Sequence, residues 1–264
     1  MRTIHVLTAL LLAAASATGA DTDSPKLAGE LPEVKELPNP FAFADGSAVR
    51  TKEDWARRRE ELKNLFQDYE YGHLPPKPQK MTVHRAEPVT DKDNGVTIQD
   101  LEVKLEQGDK ALTMHLRVVL PQDAKDPAPV IVQSRFSFGR PAPAGAPSGK
   151  PYSVFTRRGY AVAECDFQEF APDNKDKART GGAYQLFGDK IDCGGLMAWA
   201  WGVSRTIDAL ETVDKIDAKK VIVTGHSRYG KAALLAGAFD ERIALTVPSH
   251  SGCAGAAPYR FIYG

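Results

Sequence analysis

Hydrophobic residues recur with three different periods along this chain, and each period predicts a different element. From Thr51 the pattern is helical. Thr51 and Asp54 form a capping box, Trp55, Leu62, Leu65, Phe66 and Tyr69 fall on one face, and Gly72 with Pro75 and Pro76 stops the run. The next stretch alternates with period two. Val96, Ile98, Leu101, Val103 and Leu105 make one strand, with a slip in register expected near Gln99 and Asp100. Leu112, Met114, Leu116, Val118 and Leu120 make a second, and residues 107–110 form the hairpin turn between them. After Pro129 the strands become short continuous apolar runs, at 130–132, 159–163, 221–224 and 243–247. Helical spacing separates them, at Leu196, Ala200, Val203, Ile207 and Leu210 and again over 232–239. Unbroken apolar strands between helices predict a parallel sheet covered on both faces. An antiparallel start running into such a parallel β/α series predicts the α/β class and an α/β-hydrolase fold, a three-layer α/β/α sandwich occupying residues 51–264 after an extended lead-in over 21–50. No internal repeat or low-complexity tract is evident, and the pattern does not indicate a second domain.

Composition adds little to this picture except at the N-terminus. Arg2, an apolar run over 6–15 and the small residues Thr18, Gly19 and Ala20 read as a signal peptide covering residues 1–20, and the run is short of the roughly 20 residues a membrane span needs. Export to the periplasm or beyond is expected. Without that segment the chain carries 33 basic and 34 acidic residues, a net charge of −1. So balanced a chain has no overall field to draw it to nucleic acid or to an anionic membrane, and the expectation is a monomer that binds neither. Cys165, Cys193 and Cys253 are an odd set for an exported protein. One disulfide plus a free thiol is possible, and buried structural thiols are the plainer reading; their spacing fits no metal site, and neither metal nor cofactor is expected.

The chemistry concentrates in residues 225–231, GHSRYGK, directly after the strand at 221–224. A glycine-flanked serine between a strand and a helix has the form of a nucleophile elbow, although Tyr229 occupies the place of the usual second glycine. Ser227 is the candidate nucleophile; the alternative is a serine that only caps the next helix. Arg228 and Lys231 both fall in that helix's first turn, where the dipole disfavours cations by ~0.3–1 kcal/mol each. Their presence there points to an electron-rich group bound nearby, Arg228 donating to an oxyanion and Lys231 to substrate hydroxyls. Solvated surface charge is the alternative for both.

GHSRYGK resembles the G-C-S-R-x-G-K signature of the glucuronoyl esterases, carbohydrate esterase family 15. Further stretches resemble bacterial members: DYEYG at 68–72, RGYAV at 158–162, WAWGVSR at 199–205 and AFDERIAL at 238–245. The resemblance implies an α/β-hydrolase that cleaves esters between 4-O-methyl-glucuronic acid of glucuronoxylan and lignin alcohols. Ser227 would be the nucleophile, Arg228 the oxyanion arginine and Lys231 the sugar-holding lysine. It implies two departures. His226 stands where fungal relatives carry a cysteine, so a disulfide at that point is not expected. His250 stands where they carry the triad glutamate, and the acid is expected from a later strand, with His250 either a polar loop residue or the base itself. By the family plan the histidine loop also lies beyond Gly264, so the expectation is a chain incomplete at its C-terminus with little esterase activity of its own. An acetyl-xylan or other carbohydrate esterase, and a carbohydrate-binding relative without catalysis, are the competing functions.

Overall fold

A computed structural model describes residues 36–124, 126–134 and 152–257. The expected signal peptide and the first part of the lead-in fall outside the described residues. From Pro38 onward the chain forms one unit built on a single mixed sheet. Its strands are β1 (Lys80–Arg85), β2 (Val89–Asp91), β3 (Val96–Gln107), β4 (Lys110–Pro121), β5 (Ala128–Ser134), β6 (Ala161–Cys165), β7 (Ile216–His226) and β8 (Ile243–Ser249). They run in the order β1-β3-β4-β6-β5-β7-β8, with β2 also pairing to β3. Pairing is antiparallel from β1 to β6 and parallel among β6, β5, β7 and β8, as the change in hydrophobic period predicts.

The helices are α1 (Lys52–Phe66), α2 (Ser153–Thr156), α3 (Gly182–Phe187), α4 (Gly195–Leu210) and α5 (Arg228–Phe239). Most of the core lies on one sheet face, where Leu101, Val103, Leu105, Met114, Leu116, Val132 and Val223 meet α3, α4 and α5. A smaller cluster lies on the other face, with Val96, Val119 and Val162 beneath Tyr152 and Phe155. Those two clusters correct the expected slip in β3. Its pairing with β4 runs without interruption from Val96 opposite Pro121 to Gln107 opposite Lys110. The strand stays regular, and its apolar residues change faces: Val96 and Ile98 serve the small cluster, Leu101, Val103 and Leu105 the large one.

Helix α1 starts as expected, with Thr51 and Asp54 forming a complete capping box. It continues through a wider turn over Gln67–Tyr71 and ends at Gly72, whose φ is +71°. The expected apolar face needs correction. Trp55, Leu65, Phe66 and Tyr69 are exposed, and the one buried residue of α1 is Arg58. The helix is anchored by charged and polar groups instead. Arg59 reaches Glu241 (2.6 Å) and the Ala238 carbonyl (3.1 Å), while Glu61 accepts from the backbone of Ala44 (3.1 Å). Trp55 packs on Phe41, ring centroids 5.6 Å apart.

The end of α1 is tied to the loop before α4 by His73. Its Nδ1 lies 2.8 Å from Asp192 Oδ2, its backbone N–H donates to Asp192 Oδ1 (2.9 Å), and its Nε2 lies 3.3 Å from Asp68. The hydrogen bond to Asp192 raises His73 above the ordinary 6.5, and the same bond holds Asp192 below 3.8. A raised histidine stabilises the fold fully below 6.5 and loses that contribution as pH rises through the raised value. The aspartate's part is present above 3.8 and is lost as pH falls through its lowered value. Both groups are largely exposed, so the contribution is under about 1 kcal/mol. His73→Phe is expected to lower Tm by a few degrees at about pH 5.5 and by less at about pH 8.5; an equal loss at both would remove the clamp.

Helix α4 is buried from Met197 to Leu210, as suits a helix that is apolar nearly all round. Trp199 Nε1 donates to the Ala171 carbonyl (2.8 Å) and Trp201 Nε1 to that of Pro76 (2.9 Å), so both indoles are buried with their donors satisfied. Cys165 and Cys193 are buried free thiols, as the plainer reading expects, and Cys253 is a half-buried thiol with no disulfide. Burial pushes Cys165 up to about 12 and Cys193 up to about 11, which keeps both protonated and unreactive.

Candidate active site

The site is built where β7 leaves the sheet. Ser227 sits between the end of β7 and the start of α5 with φ 57° and ψ −125°, a region that L-residues rarely occupy and that costs about 1–3 kcal/mol. Backbone bonds hold it there. Ser227 N–H donates to the Ser249 carbonyl (2.9 Å), and its own carbonyl accepts from Lys231 N–H (3.1 Å). The side chain makes no capping hydrogen bond to α5. This removes the reason for reading Ser227 as a simple cap and leaves an exposed hydroxyl at the turn.

The irregular second glycine has a steric explanation. A Cβ on Gly225 would overlap the Tyr229 carbonyl, and one on Gly230 would lie 2.7 Å from the Ser249 carbonyl oxygen and 2.9 Å from that of Gly225. The tight crossing of strand and helix therefore falls on Gly225 and Gly230. Tyr229 is free to carry a ring, which packs 5.2 Å from Trp199 and edge-on to Phe167 at 5.6 Å. Burial pushes its phenol up. Gly230→Ala is expected to cost about 1–3 kcal/mol, because two backbone carbonyls must move. Thermal unfolding measures this, and an unchanged Tm contradicts the crossing described.

Arg228, the first residue of α5, is more than half exposed, and its Nη1 lies 2.6 Å from Asp173 Oδ1. Asp173 lies in the segment after β6, which also brings Gln168 Nε2 within 3.4 Å of Tyr229 Oη. Sequence reasoning missed Asp173. It lies 55 residues before Arg228, and no spacing rule links them. Lys231, one turn along α5, donates from Nζ to the Cys253 carbonyl. An ammonium has three donors, so this bond leaves two for a ligand. Tyr71, at the end of the wider turn after α1, donates to the next carbonyl along, that of Ala254 (3.2 Å).

His250 is exposed with φ 51°. Its Nδ1 lies 2.8 Å from Ser249 Oγ, and its ring lies 4.9 Å from that of His226, so the two departures from the family pattern meet beside the elbow. Among the described residues no side-chain hydrogen bond engages Ser227 Oγ. None of them forms a group of three His, Cys, Asp or Glu side chains placed for a metal. A cavity of about 320 Å³ opens between the C-terminal ends of β5, at Gln133 and Ser134, and of β7, at Thr224, Gly225 and His226. This is the usual place for a ligand on a parallel sheet. Gln133 is held there by donating to Glu164 Oε1 (2.9 Å), itself almost fully buried. The elements together offer a strained exposed serine, a guanidinium beside it, an ammonium one turn on and a cleft.

Comparison with known proteins agrees. The family model described as "Glucuronyl esterase, fungi" matches residues 103–263. A 4-O-methyl-glucuronoyl methylesterase of Schizophyllum commune is 36% identical over 266 residues, covering 96% of this chain and 60% of the relative. A family 15 glucuronoyl esterase structure from Caldicellulosiruptor kristjansonii superposes with a TM-score of 0.68 at 38% identity, covering 87% of this chain and 59% of that one. The glucuronoyl esterase of Sporotrichum thermophile, solved as a serine-to-alanine mutant with methyl 4-O-methyl-β-D-glucopyranuronate, gives 0.65 at 32% identity over 83% of this chain and 53% of that one. The chain thus spans about 60% of the length of the first of these relatives. Sheet order, elbow and family match agree, and the chain belongs to the glucuronoyl esterase family of α/β-hydrolases.

Proposed function

We propose that this protein is a serine esterase that cleaves esters of 4-O-methyl-glucuronic acid, the linkage between glucuronoxylan and lignin alcohols. The observation that carries the reading is Ser227, held at φ 57° with an exposed hydroxyl not used as a helix cap and followed directly in the chain by Arg228. In this reading Ser227 Oγ attacks the ester carbonyl and transfers its proton to a general base. The base gives that proton to the alcohol as its C–O bond breaks to leave an acyl-enzyme; it then takes a proton from water, which attacks the acyl carbon, and returns one to Ser227 as the uronate leaves. Arg228 donates to the carbonyl oxygen as it becomes an oxyanion. The esterified uronate is neutral in the ground state, so a cation there favours the transition state over the substrate. Lys231 holds the sugar hydroxyls with the donors not given to Cys253. The polysaccharide fits a protein that leaves the cytoplasm, and we read residues 1–20 as the signal that exports it; a mature N-terminus at or near Asp21 checks this.

Turnover of benzyl glucuronate set against an acetylated xylo-oligosaccharide tests the reading. Preference for the glucuronate is expected, and preference for acetate rejects it in favour of a different carbohydrate esterase. A second reading, a carbohydrate-binding relative without catalysis, is favoured by the absence of a base bonded to Ser227 Oγ among the described residues. Binding of xylan fragments with hydrolysis of neither ester selects it.

A further inference from the structure

Asp173 places a carboxylate against the guanidinium of Arg228. Its Oδ1 lies 2.6 Å from Arg228 Nη1, and its side chain is 27% exposed against 56% for the arginine. The acid is thus the more enclosed partner and the arginine the more exposed one. Its segment is well fixed. Phe167, Phe170 and Ala171 are fully buried, Asp166 caps the turn that follows it, and Phe167 packs edge-on to Tyr229. Asp173 therefore arrives from a rigid base.

The consequence follows from the charges of substrate and product. The N-terminus of α5 already carries the positive end of the helix dipole, and Arg228 adds a full charge to it. An uncompensated cation there would bind any carboxylate strongly. The ester is neutral, but the uronate released on hydrolysis is an anion at neutral pH, with its carboxylate where the ester stood. A carboxylate paired to Arg228 cancels much of the net charge and leaves directed N–H donors for the oxyanion. We propose that Asp173 is a specificity-determining residue that, by neutralising Arg228, biases the site toward the neutral glucuronate ester and against the anionic free uronate. This rests on the glucuronate-esterase reading above.

The test is a binding measurement in which turnover plays no part. In a Ser227→Ala background, Kd is measured by titration for methyl 4-O-methyl-D-glucuronate and for free 4-O-methyl-D-glucuronate, at neutral pH and low salt. Asp173→Asn is expected to tighten binding of the free acid about three- to tenfold, since it removes a like charge across a partly exposed site. Binding of the ester should change by less than about twofold. Asp173→Glu keeps the charge and should keep the wild-type ratio of the two constants, which guards against an Asn variant that simply loosens the segment. An unchanged ratio in Asp173→Asn, or equal weakening of both ligands, overturns the proposal and leaves the esterase reading intact. Failure of the Ser227→Ala protein and every Asp173 variant to bind either ligand overturns the esterase reading, and the proposal with it.

Discussion

Where the general base is present, Ser227→Ala is expected to remove glucuronate-ester hydrolysis, with a loss of about 10⁴–10⁶-fold in kcat, while leaving the fold in place. Loss of the nucleophile in a serine hydrolase has this scale because no other group can form the acyl-enzyme. The structure separates this chemical loss from a structural one. The serine side chain makes no capping bond, and its strained backbone is held by main-chain bonds to Ser249 and Lys231 that alanine retains. Alanine also keeps the Cβ, so the strain at φ 57° is neither relieved nor increased. Tm should therefore move by less than about 2 °C. Hydrolysis of benzyl glucuronate by the two proteins, with thermal unfolding in parallel, gives both numbers. Residual hydrolysis within tenfold of wild type would falsify the nucleophile assignment.

Asp208→Ala should produce the largest loss of stability available from a single side chain outside the apolar core. Asp208 lies in the last turn of α4 and is 4% exposed. Arg205 Nε lies 2.9 Å from its Oδ2, an ion pair by distance without hydrogen-bond alignment, Arg242 Nη1 2.7 Å from its Oδ1, and Lys77 Nζ 3.3 Å away. Arg242 in turn reaches Asp240 (2.7 Å), Glu211 (2.9 Å) and the Ser204 carbonyl (3.2 Å), and its pKa is raised chiefly by the bond to Asp240. Arg205 is buried, and desolvation lowers its pKa. Without Asp208 that cation has no acid within ion-pair distance and only Asp240 acting on it from further off, and removing one member of a buried pair costs about 3–5 kcal/mol, mostly through the charge left behind. For a domain of this size that is about 8–15 °C in Tm. Asp208→Asn keeps shape and should lose a large part of the same amount. A shift below about 2 °C for the alanine variant would show the network to be solvated and energetically idle.

This network also explains two stretches whose resemblance to the family had no local meaning. WAWGVSR at 199–205 and AFDERIAL at 238–245 meet at Arg205, Asp208, Asp240 and Arg242, joining the end of α4 to the turn between α5 and β8. They hold the scaffold on which the elbow stands. The sequence does not mark their charged residues as buried, because burial depends on which helix lies opposite, and periodicity does not contain that.

The parts legible in the sequence are those encoded over a few residues. A change from alternating to continuous apolar strands predicted the change from antiparallel to parallel pairing. Thr51 and Asp54 announced the cap of α1 because both partners lie within one turn. The glycines around Ser227 announced the elbow because close backbone crossing excludes a Cβ whatever the rest of the fold does. Less legible were positions whose environment is supplied from far away. The apolar face of α1 has the right period but no described core to cover it. The parity change in β3 looked like a slip, and became a change of face only once a second cluster under Tyr152 was present. Lys231 was legible as a cation in the first turn of α5; its bond to Cys253 was not.

The chain's own pattern determined the class of fold, the position of the candidate nucleophile and the two cations beside it, since hydrophobic period, helix caps and steric exclusion at glycine act locally. Tertiary structure decided what those groups face. It put Asp173 on Arg228, His250 against His226 and the Cys253 carbonyl on Lys231, because sheet order brings together segments 22–55 residues apart. The electrostatics of the site depend on those neighbours, and only the fold supplies them.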